Sequence, residues 1–457
     1  MLIDQCFADI PTDKTVIVAV SGGSDSVALL LMANAWAIKN KVVLQAITID
    51  HGLRPEAAVE AAFVASICAA IDVDHVTLAW EGAKPVLGIQ NAARQSRYSL
   101  LDQYAKEIGS DIILTGHTLN DQAETIYMRL QRHRDESDGK GLSGMSRRTW
   151  LCGGTQIYRP LLGVSRVTLR RVLNDFSQSW IEDPSNLDES FERVRVRKKL
   201  EAEAELTVKY LALANLCGRF RRVAVRDCAG FLRANVSLQP GPVFDLELPC
   251  RVAGNVGSDE TMQKVHPVVL HGVQILIGVA GGGEYLTPRW RILPLLAKLM
   301  ARDVKRVNIG GVVIERSGVC YRIYREARNL ASLALEAGDE TIWDGRLYLH
   351  NDTAETVFVE AVKRSQILAM EKRRGAEFEV KPRQALWSMP VLHCHDGRDG
   401  EKTILPMLDG FSLPVGLHAR LAAPAIEHFC PDFDEPLRDW VLSLKNFSVA
   451  YIAPKSL

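Results

Sequence analysis

The sequence predicts an α/β protein with a doubly wound parallel sheet, followed by smaller helical and mixed α/β domains. Two observations predict the sheet: strand-like and helix-like segments alternate up to about residue 130, and a glycine-rich turn follows the first strand. After about residue 200 this alternation stops. A chain of 457 residues is long enough for two or three domains with separate cores.

The first part of the chain contains four predicted strands and four predicted helices. Apolar, β-branched runs predict buried strands at 15–20, 42–50, 75–80 and 111–115. Helix-like patterns occupy 26–39, 56–71, 89–108 and 119–132. In such a sheet the ligand binds at the carboxyl ends of the strands. The polar segment 132–148 predicts a long loop of the kind that often forms lids or binding segments.

The rest of the chain is less regular. Residues 165–179 predict a helix, and the proline and asparagine of 183–186 predict a turn. A helix-like stretch at 200–222 leads into mixed strands and turns up to about 330, with a hairpin at 308–326 around Ser317 and Gly318. Short strands at 347–350 and 356–362 precede a basic helix at 365–378. We therefore expect domains at 1–200, 201–335 and 336–457.

Charge and cysteine content limit the class of protein. Fifty-five basic and 55 acidic residues give a formal net charge of zero, so no global field indicates a polyanionic partner, although a local basic patch remains open. Nine dispersed cysteines without a C-x-x-C pair disfavour a disulfide scaffold or zinc ribbon and indicate a reducing compartment. The first residues do not resemble a signal peptide, and no apolar run could span a bilayer. We expect a cytoplasmic protein without membrane contact.

The turn between the first strand and helix reads SGGSDS, residues 21–26. Gly22 and Gly23 permit backbone angles closed to other residues and leave no Cβ in the way of a ligand. The following helix N-terminus offers free N–H groups and a partial positive charge, which favour phosphate. The turn matches neither G-x-x-x-x-G-K-[ST] nor G-x-G-x-x-G, so the common nucleotide loops are excluded. A purely structural turn is the alternative.

The whole pattern S-G-G-x-D-S resembles the pyrophosphate-binding loop of the N-type ATP pyrophosphatases, the PP-loop family. This resemblance implies that the loop binds ATP and that a carbonyl oxygen is activated by adenylation with release of pyrophosphate. Asp25 would hold Mg²⁺. The backbone amides and hydroxyls that would bind phosphate belong to Ser21, Gly22, Gly23, Ser24 and Ser26.

Two further segments resemble the tRNA(Ile)-lysidine synthetases within that family. The second strand ends in DHGLRP, which implies that Asp50 and His51 lie near the adenine. Residues 91–101 resemble the family's A-A-R-x-x-R-Y helix. Arg94 and Arg97 are three residues apart, so they share a helix face from which both could contact phosphate. Solvated surface arginines are the alternative.

The segment GHTLND, residues 116–121, departs from the usual family pattern H-H-x-x-D-D. The outer residues His117 and Asp121 are retained, whereas Thr118 and Asn120 replace the inner pair. We expect Gly116 to contact the nucleotide, and Asp121 to be a second Mg²⁺ ligand. Either His117 or Asp121 would help to deprotonate or orient an amine. A helix-capping pair is the alternative.

A fourth resembling segment, 180–199, ends in a basic run. The family commonly has Arg-Asn where this chain has Arg193 and Val194. Phosphate contacts of basic residues supply salt-dependent affinity without reading sequence. A solvated helix face is the alternative. The cations predicted to contact tRNA phosphates are Arg193, Arg195, Arg197, Lys198 and Lys199.

The resemblance implies an enzyme that ligates free lysine to carbon 2 of the wobble cytidine in the CAU anticodon of tRNA(Ile). An adenylated cytidine would be the intermediate, and AMP and pyrophosphate the products. The later domains would contact tRNA, and the formation of a homodimer is left undecided. Alternatives are tRNA cytidine thiolation, small-acid amidation, or a non-catalytic nucleotide sensor. The adjacent His393, Cys394 and His395 alternate direction on a strand and are interpreted as structural rather than metal-binding.

Overall fold

The computed structural model describes residues 2–52, 57–82, 84–85, 88–132, 140–151, 154–182, 188–239, 243–248, 265–374, 383–396, 400–404, 416–427 and 429–450. The predicted turn at 183–186, residues 53–55 of the strand-end motif and residues 133–139 of the predicted loop lie outside these ranges. The chain divides into two compact units: unit 1 is Met1–Arg222 with Phe429–Asp434, and unit 2 is Val223–His428 with Glu435–Leu457. The three-domain division stays a prediction.

Unit 1 is built on a seven-stranded, mostly parallel sheet. Its strands are β1 Val16–Ala19, β2 Leu44–Asp50, β3 Asp74–Ala79, β4 Ile112–Leu114, β5 Arg148–Leu151, β6 Gln156–Tyr158 and β19 Phe429–Pro431. The order is β19-β5-β6-β4-β1-β2-β3. Strands β6, β4, β1, β2 and β3 are parallel, and β5 is antiparallel to both neighbours. The predicted parallel sheet is confirmed, whereas β5, β6 and β19 were not predicted.

The helices of unit 1 cover both faces of this sheet. They are α1 Leu2–Cys6, α2 Ser24–Asn40, α3 Ala57–Ala70, α4 Ile89–Glu107, α5 Leu119–Arg132, α6 Arg166–Asp175, α7 Glu192–Ala202 and the first part of α8 Ala204–Asn235. Val16 and Val18 of β1 pack into the apolar cluster formed with α2, and Ile17 packs into the cluster formed with α4. This alternation follows from the two-residue period of a strand.

The predicted helices of unit 1 agree with the structure in kind but not always in length. The prediction for 119–132 coincides with α5. The helix predicted at 165–179 ends at Asp175, and Ser177 adopts a left-handed φ of 52°. The prediction for 200–222 is wrong in extent, because a break at Glu203 separates α7 from α8 and α8 continues to Asn235.

Unit 2 begins with the end of α8 and a five-stranded antiparallel sheet. Its strands are β7 Val236–Gln239, β8 Val243–Glu247, β9 Arg306–Ile309, β10 Val312–Ser317 and β11 Cys320–Arg325, in the order β7-β8-β11-β10-β9. The predicted hairpin is confirmed, because Ser317 pairs with Cys320 across the β10–β11 turn. Two helices, α9 Pro267–Gly281 and α10 Arg289–Met300, contradict the prediction of only strands and turns in this region. Residues 269–280 of α9 are all buried, so the helix shows no polar face in its sequence.

The remainder of unit 2 contains two smaller sheets and short helices. The four-stranded sheet has β12 Leu333–Leu335, β15 Val357–Ala361, β16 Pro390–Asp396 and β17 Gly400–Ile404, and the three-stranded sheet has β13 Glu340–Trp343, β14 Leu347–Asn351 and β18 Leu417–Leu421. The helices are α11 Arg364–Arg374, α12 Arg383–Leu386, α13 Pro424–Glu427 and α14 Glu435–Ala450. Strands β14 and β15 confirm two predicted strands. Across the described ranges, every helix is too short or too polar to cross a bilayer.

A buried ion-pair cluster fixes the β13–β14 turn of unit 2. Asp344 accepts hydrogen bonds from Arg325 Nε at 3.0 Å, Arg325 Nη2 at 2.8 Å and Arg346 Nε at 2.6 Å. Arg346 also donates to the carbonyl of Ser388 at 2.5 Å. Burial lowers the pKa of Arg346 to about 10, although Asp344 opposes that shift. A Cβ on Gly345 would lie 1.9 Å from the carbonyl oxygen of Gly282, so this approach requires glycine.

Candidate active site

The SGGSDS segment forms the turn from β1 into α2, as predicted, and its last three residues are the first three of the helix. Gly22 has φ +83°, and its carbonyl accepts a 3.0 Å hydrogen bond from the amide of Ile181. Gly23 is the N-cap of α2, and within the described part of the chain no atom lies within 4 Å of the Cβ it lacks. The N-terminus of α2 is therefore open to a ligand that needs its free N–H groups.

Ser26 holds the loop closed. Its hydroxyl accepts from the amide of Ser21 at 3.1 Å and donates to the carbonyl of Gly23 at 3.0 Å. The side chain is buried. These internal hydrogen bonds shape the loop before any ligand arrives, so the amides around Gly23 need little reorganisation to bind an anion.

Gly116 brings the end of β4 against this loop. A Cβ at Gly116 would lie 3.2 Å from the carbonyl carbon and oxygen of Asp25 and from Cα of Ser26. These neighbours are backbone atoms, which cannot move aside as a flexible side chain can. Gly116, which is predicted to contact nucleotide, therefore also sets how closely the end of β4 approaches the SGGSDS segment after β1.

A cavity of about 570 Å³ opens at the carboxyl ends of β1, β2 and β4. Most of the predicted site residues line it: Ser21, Gly23, Ser24, Asp25, Ser26, His51, Arg97, Gly116, His117, Asp121, Arg193 and Arg197. The predicted residues outside its lining are Gly22, Asp50, Arg94, Arg195, Lys198 and Lys199.

Arg166, at the start of α6, joins three carboxylates beside the cavity. Its Nε donates to Asp25 Oδ2 at 3.0 Å, its Nη2 to Asp121 Oδ1 at 2.5 Å and its Nη1 to Glu124 Oε1 at 2.8 Å. Its backbone amide donates to Asn120 Oδ1 at 3.0 Å. Burial alone would lower the pKa of Arg166, but these three carboxylates outweigh it and raise that pKa. The guanidinium therefore stays charged while it holds all three acids.

Two arginines of α7 complete this arginine–carboxylate cluster. Arg193 donates to Glu124 Oε2 at 2.7 Å and to Asp121 Oδ1 at 2.8 Å, and Arg197 donates to Glu124 Oε1 at 3.1 Å. Their four-residue spacing places both on one face of the helix. The cluster thus comprises Asp25, Asp121, Glu124, Arg166, Arg193 and Arg197.

The other three cations of 193–199 lie away from the cavity. Arg195 donates to the carbonyls of Glu189 at 2.5 Å and Ser190 at 2.8 Å, and Lys198 pairs with Glu189. Lys199 lies over the ring of Tyr127, 5.5 Å from its centroid. The five cations do not share one face of α7, because Arg193 and Arg197 contact the arginine–carboxylate cluster. Their contact with tRNA stays a prediction.

His117 lies at the cavity wall in its neutral form. Burial and the positive charges of Arg159 and Arg94 keep the pKa of its imidazole well below 6.5. Its Nδ1 is 3.1 Å from the hydroxyl of Thr115, and that hydroxyl donates to the carbonyl of Tyr158 at 3.4 Å. When this hydroxyl donates to Tyr158, the His117 tautomer that fits is the one whose Nδ1–H donates to the Thr115 oxygen, which leaves the lone pair on Nε2.

The two predicted metal ligands differ in what their oxygens contact. Asp25 Oδ1 accepts only a 3.3 Å hydrogen bond from Ser24 among the described contacts, and burial raises the pKa of Asp25 against the opposing effect of Arg166. Asp121 Oδ1 accepts from two arginines, and Oδ2 accepts from the amide and hydroxyl of Thr118 at 2.7 and 2.8 Å. Asp25 fits a Mg²⁺ ligand, because one carboxylate and substrate phosphates are enough. Asp121 is already saturated.

An apolar wall lies on the β2 side of the cavity. Ile47 and Ile49 line it together with His51. His51 Nε2 is 3.3 Å from Arg97 Nη2, and its ring meets Trp80 edge-on at 6.1 Å. Burial, assisted by Arg97, lowers the pKa of His51. This wall offers apolar surface for a flat base, with a neutral imidazole at its edge.

Asp50 and Arg94 take structural positions beside that wall. Asp50 Oδ1 accepts from the amide of Gly52 at 2.7 Å, which turns the chain after β2. Arg94 lies over the ring of Tyr98, 5.0 Å from its centroid. Direct contact of either with nucleotide stays a prediction.

Sequence reasoning missed Arg166 and Glu124. Glu124 follows Asp121 by three residues on α5, so helical spacing could have identified it. Arg166 lies 141 residues from Asp25, and no local pattern connects the two. Only the fold, which places α6 beside the loop, brings them together.

Comparison with known proteins shows the family of this chain. A PP-loop domain model matches residues 2–204. The chain is 32% identical over 428 residues to a tRNA(Ile)-lysidine synthase of Brucella melitensis and 33% identical over 431 residues to one of Brucella ovis, in both cases covering 92% of each protein. A solved U34-tRNA thiolase of Methanococcus maripaludis matches 48% of this chain and 78% of its own, with 14% identity and a TM-score of 0.40, values that carry no weight here. Identity of this extent across nearly the full length shows that the chain belongs to the tRNA(Ile)-lysidine synthase family of PP-loop proteins.

Proposed function

We propose that the protein ligates free L-lysine to carbon 2 of the wobble cytidine in the CAU anticodon of tRNA(Ile), consuming ATP. The cytidine oxygen would first accept AMP, and the lysine ε-amine would then displace it. The observation that carries this proposal is a cavity lined by an open phosphate loop, with a cluster of three arginines and three carboxylates beside it.

The loop and Asp25 supply the ATP end of the site. Amides at the start of α2 would bind the departing pyrophosphate, because among the described residues no atom occupies the space beside the N-cap Gly23. Mg²⁺ bound to Asp25 would neutralise phosphate charge in the transition state. Asp121, proposed from sequence as a second ligand, is better suited to positioning, because both of its oxygens are engaged.

The amine end requires a proton acceptor, since a free lysine amine has a pKa of about 10.4. His117 is the better candidate of the two predicted residues. It is neutral, and in the tautomer whose Nδ1–H donates to the Thr115 hydroxyl its Nε2 lone pair is available to accept a proton. Asp121 is less suited to contact the amine, because both of its oxygens are engaged, and it would instead hold Arg166 and Arg193 in place beside the cavity.

Two other functions are less consistent with the site. The cavity lining contains no cysteine among the described residues, whereas thiolation by a protein-bound sulfur needs one. A nucleotide sensor would not need arginines and carboxylates beyond the phosphate loop. Cytoplasmic location and homodimer formation stay predictions.

The test is mass analysis of the tRNA product. Purified protein is incubated with ATP, Mg²⁺, isotope-labelled lysine and a tRNA(Ile) transcript with a CAU anticodon. We expect label covalently attached to the wobble cytidine, with equal release of AMP and pyrophosphate. Controls omit lysine or replace the anticodon cytidine with uridine. Incorporation of sulfur, or nucleotide binding without any change in tRNA mass, would contradict the proposal.

A further inference from the structure

The part of α8 that belongs to unit 1 has apolar side chains on the side that faces solvent. Its inward side packs against α5 and α7 through Leu206, Tyr210 and Leu211. On the opposite side, Val208 and Phe220 are 68% and 67% exposed. A surface helix of a globular protein normally has charged and polar residues on its outer face. Helix α8 therefore has a second apolar face, which the described part of unit 1 does not cover.

The exposed apolar residues form one row along the helix. Val208, Ala212, Leu216 and Phe220 follow one another at intervals of four residues, and all four are exposed. This spacing places successive side chains next to each other on one side of a helix. With a rise of 1.5 Å per residue, the row is about 18 Å long. Single exposed apolar residues are ordinary on a protein surface, whereas a contiguous row indicates an interaction site.

Opposite charges lie at the two ends of this row, and the whole arrangement is symmetric. Val208 and Leu216 each lie four residues from Ala212, on either side of it. Glu205 and Arg219, both exposed, each lie seven residues from Ala212. We name the exposed residues Ala204, Glu205, Val208, Ala212, Leu216, Arg219 and Phe220 the α8 face.

We propose that the α8 face binds the same face of a second copy of this chain, as an antiparallel helix pair with its two-fold axis at Ala212. In a two-fold interface each residue of one copy meets its counterpart on the other copy in both directions. The symmetric spacing then places Val208 against Leu216 of the second copy and Glu205 against Arg219 of the second copy. The small side chain of Ala212 allows the two helix axes to approach closely at the centre.

The charges select this occupant and its direction. A parallel pair would place Glu205 against Glu205 and Arg219 against Arg219, and like charges that face each other are unfavourable. A nucleic acid would be repelled by Glu205, since its phosphates are negative, and it has no use for a row of aliphatic side chains. A different protein would not require a face that is symmetric about its own centre. The inference does not depend on the proposed function, because it concerns association and not chemistry.

The first test is sedimentation equilibrium of the full chain over a range of protein concentrations. We expect the parent protein to approach twice the 50.6 kDa of one chain as its concentration rises. Glu205→Arg and Arg219→Glu should each weaken association by about tenfold, because each places like charges opposite each other at two symmetric contacts. The protein that carries both substitutions has opposite charges facing each other again, and it should recover most of the lost affinity.

The apolar row is tested by Val208→Glu, which should abolish association, because a carboxylate then faces the apolar Leu216 of the second copy. Ile38→Glu is the matched control, since Ile38 on α2 is 72% exposed in the same unit and lies outside the α8 face. It should associate as the parent protein does.

A parent protein that stays monomeric at every concentration would overturn the inference. Equal behaviour of Val208→Glu and Ile38→Glu, or a doubly substituted protein that does not recover, would also overturn it. Loss of tRNA binding by Val208→Glu without any change in sedimentation would assign the face to RNA and overturn the inference as well.

Discussion

Arginines and carboxylates form a cluster in each unit of the protein, and the two clusters differ in access. In unit 2, Asp344 is held by Arg325 and Arg346, and the structure closes around all three with backbone contacts. In unit 1, Arg166 joins Asp25 to Asp121 beside a cavity of about 570 Å³. We expect the same chemistry to serve stability where it is enclosed, and we propose that it serves binding where it faces a cavity.

The difference also appears in how the charges balance. The unit 2 cluster has one carboxylate for two arginines, and the buried Arg346 also needs the Ser388 carbonyl. The unit 1 cluster has three arginines and three carboxylates. A ligand can therefore replace one of these groups as a partner without leaving a large net charge in the cluster. Removing a partner from a closed cluster leaves an uncompensated buried charge, which is strongly destabilising. An open cluster can admit water or substrate instead.

The largest effect is expected in the closed cluster. Asp344→Ala should lower the free energy of unfolding by about 3–5 kcal/mol, because Arg346 loses its carboxylate while fully enclosed. The measurement is urea unfolding followed by circular dichroism. Asp352→Ala is the control, since Asp352 is 51% exposed and pairs only with histidines among the described ion pairs, and it should cost less than about 1 kcal/mol. Equal effects of the two substitutions would refute the distinction.

In the open cluster the main effect should fall on activity rather than stability. Asp25→Asn removes the carboxylate charge beside the phosphate loop, and we expect pyrophosphate release to fall by about 10²–10³-fold. Unfolding by urea should change little, because the amide can still accept from Arg166. Lys39→Ala, an exposed control on the same helix as Asp25 and outside the cavity lining, should retain full activity. An Asp25→Asn protein with normal pyrophosphate release would remove Asp25 from the mechanism.

Arg166→Lys tests whether activity requires a guanidinium group, whose several N–H donors contact three carboxylates at once. Lysine keeps the charge but cannot contact Asp25, Asp121 and Glu124 at once. We expect activity to fall by about 10–100-fold with a higher Mg²⁺ requirement for ATP binding, measured by calorimetry, because Asp25 is no longer held toward the loop. A variant with unchanged Mg²⁺ dependence would show that Arg166 only stabilises the fold.

The smallest effect concerns pH. Because burial keeps the pKa of His117 below its unfolded value of 6.5, the unfolded chain binds more protons below that pH. Stability should therefore fall as pH decreases through 6.5, by about 1.4 kcal/mol at pH 5.5 from this group, and stay constant above it. His117→Gln should remove this part of the slope in urea unfolding at several pH values. An unchanged slope would mean that His117 is not buried in neutral form.

The sequence predicted the first unit better than the second for a physical reason. Strands β1 and β4 are apolar throughout because both faces of the sheet are covered, and amphipathic α5 has a polar face that marks its period. Helix α9 is buried on all sides and therefore shows no such period. Strand β5 is short, and its place in the sheet depends on its pairing with β6 and β19. A local sequence pattern does not show that pairing.

Site prediction followed the same logic. Ser21, Asp25 and His117 lie on segments whose own pattern indicates phosphate or acid–base chemistry. The direction of Arg193 could not be predicted, because the basic run looks like a solvated face until α5 is packed against α7. Arg166 has no signal in its neighbours at all, and its role depends on the fold.

The most direct test of the account is pyrophosphate release measured with each substrate omitted in turn. If the cavity of unit 1 adenylates the wobble cytidine, pyrophosphate will form from ATP only when tRNA(Ile) with a CAU anticodon is present. It will form in the first turnover even without lysine, and adding lysine will convert the adenylated tRNA to lysidine. Pyrophosphate that forms without tRNA, or that needs lysine but not tRNA, would show that the nucleobase is not the group activated and would contradict the account.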